Sequence, residues 1–387
     1  MHRKPLAYVS LKTVLQHMGP EIRFELTRRV PQIRLTEAVV PLKISFLELG
    51  ENFTKINGTT YEMRTYHDYD QGVTVPKYIR NRNKNGGLTV DYDRFGHRDD
   101  SFRNVLTAGD LDFRDGRVRT LNTLKLFLQP YIFERRNQSP PWRNVIRLSI
   151  TSRKKDMKVH QLPFSCRLHE AEKFLNKLLV CRGNPVVNVK TLKISNSGYI
   201  LRMPVNLKLK INNLDGKVEN SFYKALNKII HESSYPLNSV YVNCISNNVN
   251  VLDHPLITDA KTLKVSDVTI PRGQRLPLLL KMQNPTVLVD SVGFLKINGV
   301  VGLIINLKES IPPIGHKIRL NVLGFNAAFE SLKQFANQFD GTRIRGRTIT
   351  IPMNHISTLQ VSYTPKNRKT RDNGHFYLEM IVLSNNN

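Results

Sequence analysis

Apolar residues at Leu11, Val14, Leu15 and Met18 recur at i, i+3, i+4 and i+7, which is one face of a helix. Gly19-Pro20 ends that helix. Ile22, Leu26 and Val30 continue as a second short helix, stopped by Pro31. From Val39 to Leu49 the period changes to two, with Val40, Leu42, Ile44 and Phe46 alternating against polar neighbours, which predicts a strand. Residues 50–120 are polar, aromatic and rich in turn residues. Asn57-Gly58 between Phe53–Ile56 and Thr59–Tyr61 predicts a tight hairpin. Asn85-Gly86-Gly87 predicts the opening of a further strand at Leu88–Val90, and Asp115-Gly116 a third turn.

Beyond residue 120 a frame recurs, apolar-x-x-apolar-x-apolar. It appears at Leu121/Leu124/Leu126, Val145/Leu148/Ile150, Val189/Leu192/Ile194, Leu237/Val240/Val242, Ala260/Leu263/Val265 and Val292/Leu295/Ile297. Amphipathic helices lie between, at Leu168/Ala171/Leu175/Leu178, at Phe222/Leu226/Ile229/Ile230, and at Phe325/Phe329/Leu332/Ala336/Phe339 before Gly341. Strands that begin this way and alternate with helices predict parallel strands in an α/β, mixed α+β chain. Two architectures fit: an irregular leucine-rich-like repeat of helix–strand units, and an ordinary α/β or α+β domain. Near the end, Arg347–Ile351, Leu359–Tyr363 and Phe376–Leu383 alternate and read as an antiparallel cap. The expected organisation is a helical segment over residues 1–45, a β-rich, loop-rich region over 46–120, and the repeat with its cap over 121–387.

Composition narrows the chemistry. The chain has 387 residues, 40 % of them hydrophobic, and 58 Lys+Arg against 31 Asp+Glu leave a formal charge of +27. Such a surplus attracts polyanions, nucleic acid among them, and equally an acidic protein surface. The basic runs Lys77–Lys84, Arg153-Lys154-Lys155 and Lys366–Arg371 are short and dispersed. Cys166, Cys181 and Cys244 have neither disulfide-framework nor zinc spacing. No run of 18 apolar residues predicts a membrane span. These features predict a chain of the cytoplasm or nucleus. Seven acids between Asp91 and Asp115 interleave with arginines and read as a salt-bridged polar surface. His67-Asp68 and His254-Pro255 stand beside no nucleophile or ligand spacing, and Gly86-Gly87 lacks the lysine of a phosphate loop. The pattern predicts no catalytic centre, no cofactor and no metal.

Several segments together resemble a nematode-expanded family, the F-box C proteins. They are Pro5-Leu6-Ala7-Tyr8, Leu11-Lys12, Val14-Leu15, His17, Arg29-Val30-Pro31-Gln32-Ile33 and Val40-Pro41-Leu42 near the start. Later ones are Gly86-Gly87-Leu88, Asp91-Tyr92-Asp93, Asp253-His254-Pro255, Ile351-Pro352-Met353 and Val361-Ser362-Tyr363. The resemblance implies an F-box-like N-terminus joined to a nematode-specific domain of unknown function. It implies a non-catalytic subunit of a cullin ubiquitin ligase whose first helices dock on a Skp-type adaptor while the remainder binds a protein target. The positions that match the docking segment are Pro5, Leu6, Leu11, Val14, Leu15 and Met18. The segment Arg28–Ile33 departs from the cysteine-lysine-aromatic ending of a standard F-box. Two alternatives stand beside this one: the first helix packs on the protein's own core, and the chain is a basic nucleic-acid-binding module.

Overall fold

The computed structural model describes residues 8–101, 105–114, 128–153, 156–163, 166–181, 186–195, 199–217, 220–243, 252–266, 269–323, 325–365 and 375–385. The chain is a mixed α/β protein with two compact units. One comprises residues 1–211 and 221–233, the other residues 212–220 and 234–387.

Unit one begins with α1 (Tyr8–His17), α2 (Pro20–Arg29), a 3-10 turn (Pro31–Ile33) and α3 (Arg34–Val39). Three strands follow, β1 (Lys43–Gly50), β2 (Phe53–Ile56) and β3 (Thr59–Tyr69), and then α4 (Lys77–Lys84). The short strands β4 (Asp91–Tyr92), β5 (Arg98–Asp99) and β6 (Leu111–Asp112) precede α5 (Leu128–Arg136). The unit continues through β7 (Trp142–Thr151), β8 (Met157–Pro163), α6 (Leu168–Val180), β9 (Val186–Ile194) and β10 (Ile200–Leu201). The division between units falls within β11 (Lys208–Lys217), and most of α7 (Asn220–Leu226) returns to unit one.

The strand order in this unit is β8-β7-β3-β2-β1-β9, antiparallel except for the parallel pair β1–β9. The Asn57-Gly58 hairpin forms as expected, with Asn57 at φ +53. The alternation of β1 slips phase: Leu42 and Ile44 face the core, and then Leu47 and Leu49 do, with Phe46 half-buried. The slip sits where the successive amides of Ser45 and Phe46 both donate to Asn57 Oδ1, at 3.0 and 3.1 Å. One turn residue thus resets the register of a neighbouring strand, as a bulge does. At Leu88–Val90 the structure differs from expectation. Leu88 makes a single bridge to Thr65. Gly87 at φ +82 lies so close to β3 that a Cβ there would stand 2.5 Å from the Thr65 carbonyl. These glycines bring a loop onto the strand and start no new one.

Unit two contains β12 (Ser239–Asn243), α8 (Pro255–Thr258), β13 (Thr262–Ser266), α9 (Arg272–Lys281), β14 (Thr286–Val289), α10 (Ile297–Ser310) and β15 (Lys317–Leu323). It closes with α11 (Phe325–Gln338), β16 (Arg343–Arg345), β17 (Thr348–Pro352), β18 (Ser357–Pro365) and β19 (His375–Ser384). From β11 to β15 each strand lies parallel to the next in the chain, in the order of the sequence. One inward row runs Leu214, Val240, Leu263, Val287 and Ile318, and a second runs Gly216, Val242, Val265, Val289 and Leu320. The helix α10 contributes Leu303, Ile304 and Leu307 to the core. The end of the chain is antiparallel, β15-β19-β18-β17-β16, as its alternation predicts.

Two of the six frames do not mark parallel strands. Val145, Leu148 and Ile150 lie on β7, inside an antiparallel meander. Val292, Leu295 and Ile297 lie on a turn and the start of α10. The nearby strand is Thr286–Val289, and Asn284 occupies the place before it that Ala260 holds before β13. Asn284 is buried, and its Nδ2 donates to the carbonyls of Ile257 (2.6 Å) and Ala260 (2.8 Å). A buried amide can stand at an apolar position because its hydrogens find carbonyls of the preceding turn. In α6 the buried stripe ends on Leu179 and Val180, and Leu178 is exposed. Leu121/Leu124/Leu126, Asp115-Gly116, Cys244 and Lys366–Arg371 lie outside the described residues, as does the side chain of Phe325.

Asn284→Leu removes the side-chain donor from the buried carbonyls of Ile257 and Ala260. It is expected to cost about 2–3 kcal/mol, read as faster amide hydrogen exchange in β13 and β14 with little change in unit one.

Candidate functional site

The N-terminal helices are joined by a charge that has left water. Gly19 is extended, at ψ 153, and Pro20 takes the first position of α2, where its missing N–H costs nothing. One turn later Arg23 points inward and is 2 % exposed. Its Nε and Nη2 donate to Glu37 Oε1 at 3.1 and 2.8 Å. Nη2 also reaches the carbonyls of Glu37 (3.0 Å) and Val40 (2.9 Å), and Nη1 that of Pro41 (3.1 Å). These carbonyls lie at the C-terminal end of α3, where a helix has no partners of its own to offer. The guanidinium therefore neutralises Glu37 and caps α3 at once. A void of about 10 Å³ among Arg23, Glu37, Leu42, Val180 and Val187 leaves room for at most one water.

Apolar contacts complete the joint. Leu15 of α1 is fully buried, and Phe24 of α2 meets Tyr61 of β3 edge to face at 6.5 Å. On the surface, Glu25 takes hydrogen bonds from Arg28 and Arg29, which hold its carboxyl down at about 2.

The expected docking positions separate. Pro5 and Leu6 lie outside the described residues. Leu15 faces the core, Leu11 and Met18 are half-buried, and Val14 faces solvent. The larger exposed apolar side chains stand elsewhere on the same helices: Tyr8 and Val9 on α1, Ile22 on α2, and Leu35 and Val39 on α3, with Leu35 84 % exposed. Leu35 and Val39 are spaced i, i+4 and share a face of α3. Sequence reading passed over them because α3 was not expected, although that spacing is a signal for it.

A second arrangement lies deeper in unit one. A cavity of about 60 Å³ is lined by Glu51, Asp91, Asp99, His169, Glu172 and Arg202, among others. A smaller void beside it shares Glu172 and Arg202. Asp91 accepts the Leu168 N–H at 2.7 Å and so caps α6, and its other oxygen lies 3.9 Å from His169 Nδ1. Glu172 Oε1 is sealed from solvent with no hydrogen-bond partner among the described residues. Burial pushes that carboxyl up to about 8; Arg202 opposes the shift and Glu51, Asp91 and Asp110 reinforce it. Glu172 is therefore largely a neutral acid at pH 7.

The acidic run is mostly paired. Asp99 meets Arg167 and Asp110 meets Arg202, each at 2.7 Å, while Asp100 meets Arg98 and Asp112 meets Arg114, each at 2.6 Å. Asp91 and Asp110 are buried, so the run is part interior and not the wholly surface feature its sequence suggests. Burial raises the Asp110 carboxyl, but hydrogen bonds from Thr107, Arg202 and Lys173 outweigh it and hold the group below its ordinary value. Among the described residues no three His, Cys, Asp or Glu side chains stand where they could hold a metal ion.

The histidines have structural surroundings. His67 is buried and stacks on Trp142 at 4.9 Å, and its Nδ1 lies 2.6 Å from Arg82 Nη2. Burial first, then that guanidinium, push its imidazole down to about 3. With Arg82 donating, Nδ1 is the acceptor and the ring is neutral. His254 caps α8, accepting the Leu256 N–H at 3.2 Å. Among the described residues no helix is long and apolar enough to cross a membrane.

Arg23→Met strands the Glu37 carboxylate and is expected to lower the stability of unit one by about 3–5 kcal/mol, while Arg23→Met with Glu37→Met recovers much of it. Trp142 is the single tryptophan and lies in unit one, so its fluorescence in a urea titration reports this unit alone. Glu172 has its pKa raised on folding, so unit one binds more protons folded than unfolded between pH 4.5 and about 8. Its contribution is full below pH 4.5 and falls as pH rises through that window. Glu172→Gln is expected to raise unit one's stability at pH 8, on the order of a few kcal/mol, and to change little at pH 4.

Residues 167–322, from the N-terminal end of α6 into β15, match the family model of a domain of unknown function, DUF3557. No curated protein and no solved structure matches the chain.

Proposed function

We propose that this chain is a non-catalytic interaction protein, the target-recruiting subunit of a cullin ubiquitin ligase. Its N-terminal helices dock on a Skp-type adaptor, and its C-terminal ladder presents a surface to a protein target. The observation that carries this reading is the set of exposed apolar side chains on helices that are otherwise fixed: Tyr8, Val9, Ile22, Leu35 and Val39. Helices braced by the Arg23 pair offer those side chains at little ordering cost, which favours docking of a helical surface into a partner's groove. The resemblance of the first 42 residues to the F-box C family points the same way.

We read unit two as an irregular leucine-rich-like repeat. Support comes from its five parallel strands in sequence order, with Leu214, Val240, Leu263, Val287 and Ile318 in one register row. Each coil stacks on the next, and the antiparallel strands β16–β19 close the open end. A protein of this kind works in the cytoplasm or nucleus.

Full-length chain co-expressed with a Skp-type adaptor is expected to retain it through affinity purification. Leu35→Glu with Val39→Glu is expected to weaken capture by at least about tenfold while the fold is kept, since both side chains already face solvent. No adaptor on the wild-type chain, or equal capture by the double variant, refutes the docking model. Retention on a phosphate-rich column that falls steeply with salt and resists protein competitors would favour the nucleic-acid reading.

A further inference from the structure

Two carboxylate oxygens at the cavity beside α6 are unspent. Asp91 gives Oδ1 to the Leu168 N–H, and its Oδ2, 3.9 Å from His169 Nδ1, makes no hydrogen bond among the described residues. Glu172 lines both the cavity and the smaller void beside it, and its sealed Oε1 has no hydrogen-bond partner among those residues either. Buried acceptors ordinarily meet a donor. The surrounding charge asks for a donor that is also a cation. Glu51, Asp91, Asp99 and Asp100 stand at the wall against Arg114 and Arg202. With Glu172 neutral the wall holds two negative charges in excess, or one where His169 is protonated. The groups behind the wall do not reverse that sign. Arg167 and Arg98 pair with Asp99 and Asp100, Asp110 and Asp112 pair with Arg202 and Arg114, and Lys173 also reaches Asp110.

Size and geometry select the cation. Among the described residues no three His, Cys, Asp or Glu side chains are placed to hold a metal ion. A point charge therefore finds too few ligands at once. A guanidinium spreads its N–H donors around a plane and pairs with carboxylates on different sides. The cavity of about 60 Å³ has room for roughly four water-sized groups, as many as the heavy atoms of a guanidinium.

We propose that this cavity binds a guanidinium group, the end of an arginine side chain or of a small free guanidine, with its N–H donors on Asp91 and Glu172. Such a pocket in unit one stands whether or not the N-terminal helices dock on an adaptor. Ionised Glu172 is the form that pairs with a cation. Burial, reinforced by Glu51, Asp91 and Asp110 and opposed by Arg202, raises its carboxyl to about 8. At pH 7 guanidinium binding therefore displaces the Glu172 proton to solvent, and binding tightens as pH rises from 6 to 8.

The test is calorimetric titration of the full chain with ethylguanidinium and with ethylurea, a neutral molecule of the same shape, in two buffers of different ionisation enthalpy. Ethylguanidinium is expected to bind at least about tenfold tighter at pH 8 than at pH 6 and to release protons at pH 7. Ethylurea is expected to bind at least about tenfold more weakly than ethylguanidinium at pH 8. Glu172→Gln, expected to be no less stable than wild type at pH 8, should weaken ethylguanidinium by about fivefold or more there and abolish the proton release. Glu330→Gln removes the same charge from an exposed position of unit two and should change affinity by less than about twofold. Absence of ethylguanidinium binding, equal binding of ethylurea, or equal losses for the two variants overturns the proposal. A pH dependence that survives Glu172→Gln assigns the proton to His169 and overturns it as well. Nα-acetylarginine methylamide separates the two sources of the group. Tighter binding than ethylguanidinium identifies an arginine of a protein partner, weaker binding identifies a free guanidine, and either supports the pocket.

Discussion

A guanidinium removed from water must find its partners inside the protein, and Arg23 finds them in Glu37 and in the carbonyls that close α3. This one group fixes α2 on α3 and fixes both to the start of β1 through Val40 and Pro41. Hydrophobic packing at Leu15 and at Phe24–Tyr61 adds adhesion without direction. The hydrogen-bonded charge supplies direction, so the orientation of the helices, and with it which apolar side chains remain outside, follows from a polar residue in the core. Substituting either partner alone is therefore unlike trimming a surface ion pair such as Glu25 with Arg28, which water would replace at little cost.

The same constraint works in unit two on neutral groups. Asn284 meets the carbonyls of Ile257 and Ala260 ahead of β13, and Asn321 donates to both the carbonyl and the carboxylate of Asp290. Tyr377 of β19 reaches the same Asp290 carboxylate at 3.1 Å. Apolar rows hold successive strands at one level, and buried amides hold the turns. Where Asn284 enters the row, the apolar frame is interrupted in sequence but continuous in function.

Charge in this chain is both surplus and structure. Most acids of residues 91–112 are consumed by arginines, and Asp91 caps α6. The net positive charge is therefore left to the surface. Glu172 is the counter-example, a carboxyl kept neutral first by burial, with Glu51, Asp91 and Asp110 reinforcing the shift and Arg202 opposing it.

The N-terminal helices, the Asn57-Gly58 hairpin, the three frame segments on β9, β12 and β13, and the antiparallel end were legible in the sequence. In each, the local period of apolar residues and a Gly, Pro or Asn at the break determine the outcome without help from distant residues. Burial of Arg23, the phase slip of β1, the exposure of Leu35 and Val39, and the identity of Asn284 as a ladder residue were decided by tertiary structure. A polar side chain goes inside only when partners far along the chain converge on it, here 14 to 18 residues away for Arg23 and 24 to 27 for Asn284. Nothing in a local window records that convergence. The docking face was legible as a helical segment and not as a surface, because the sequence sets which side chains are apolar and the packing of three helices sets which of them water can reach.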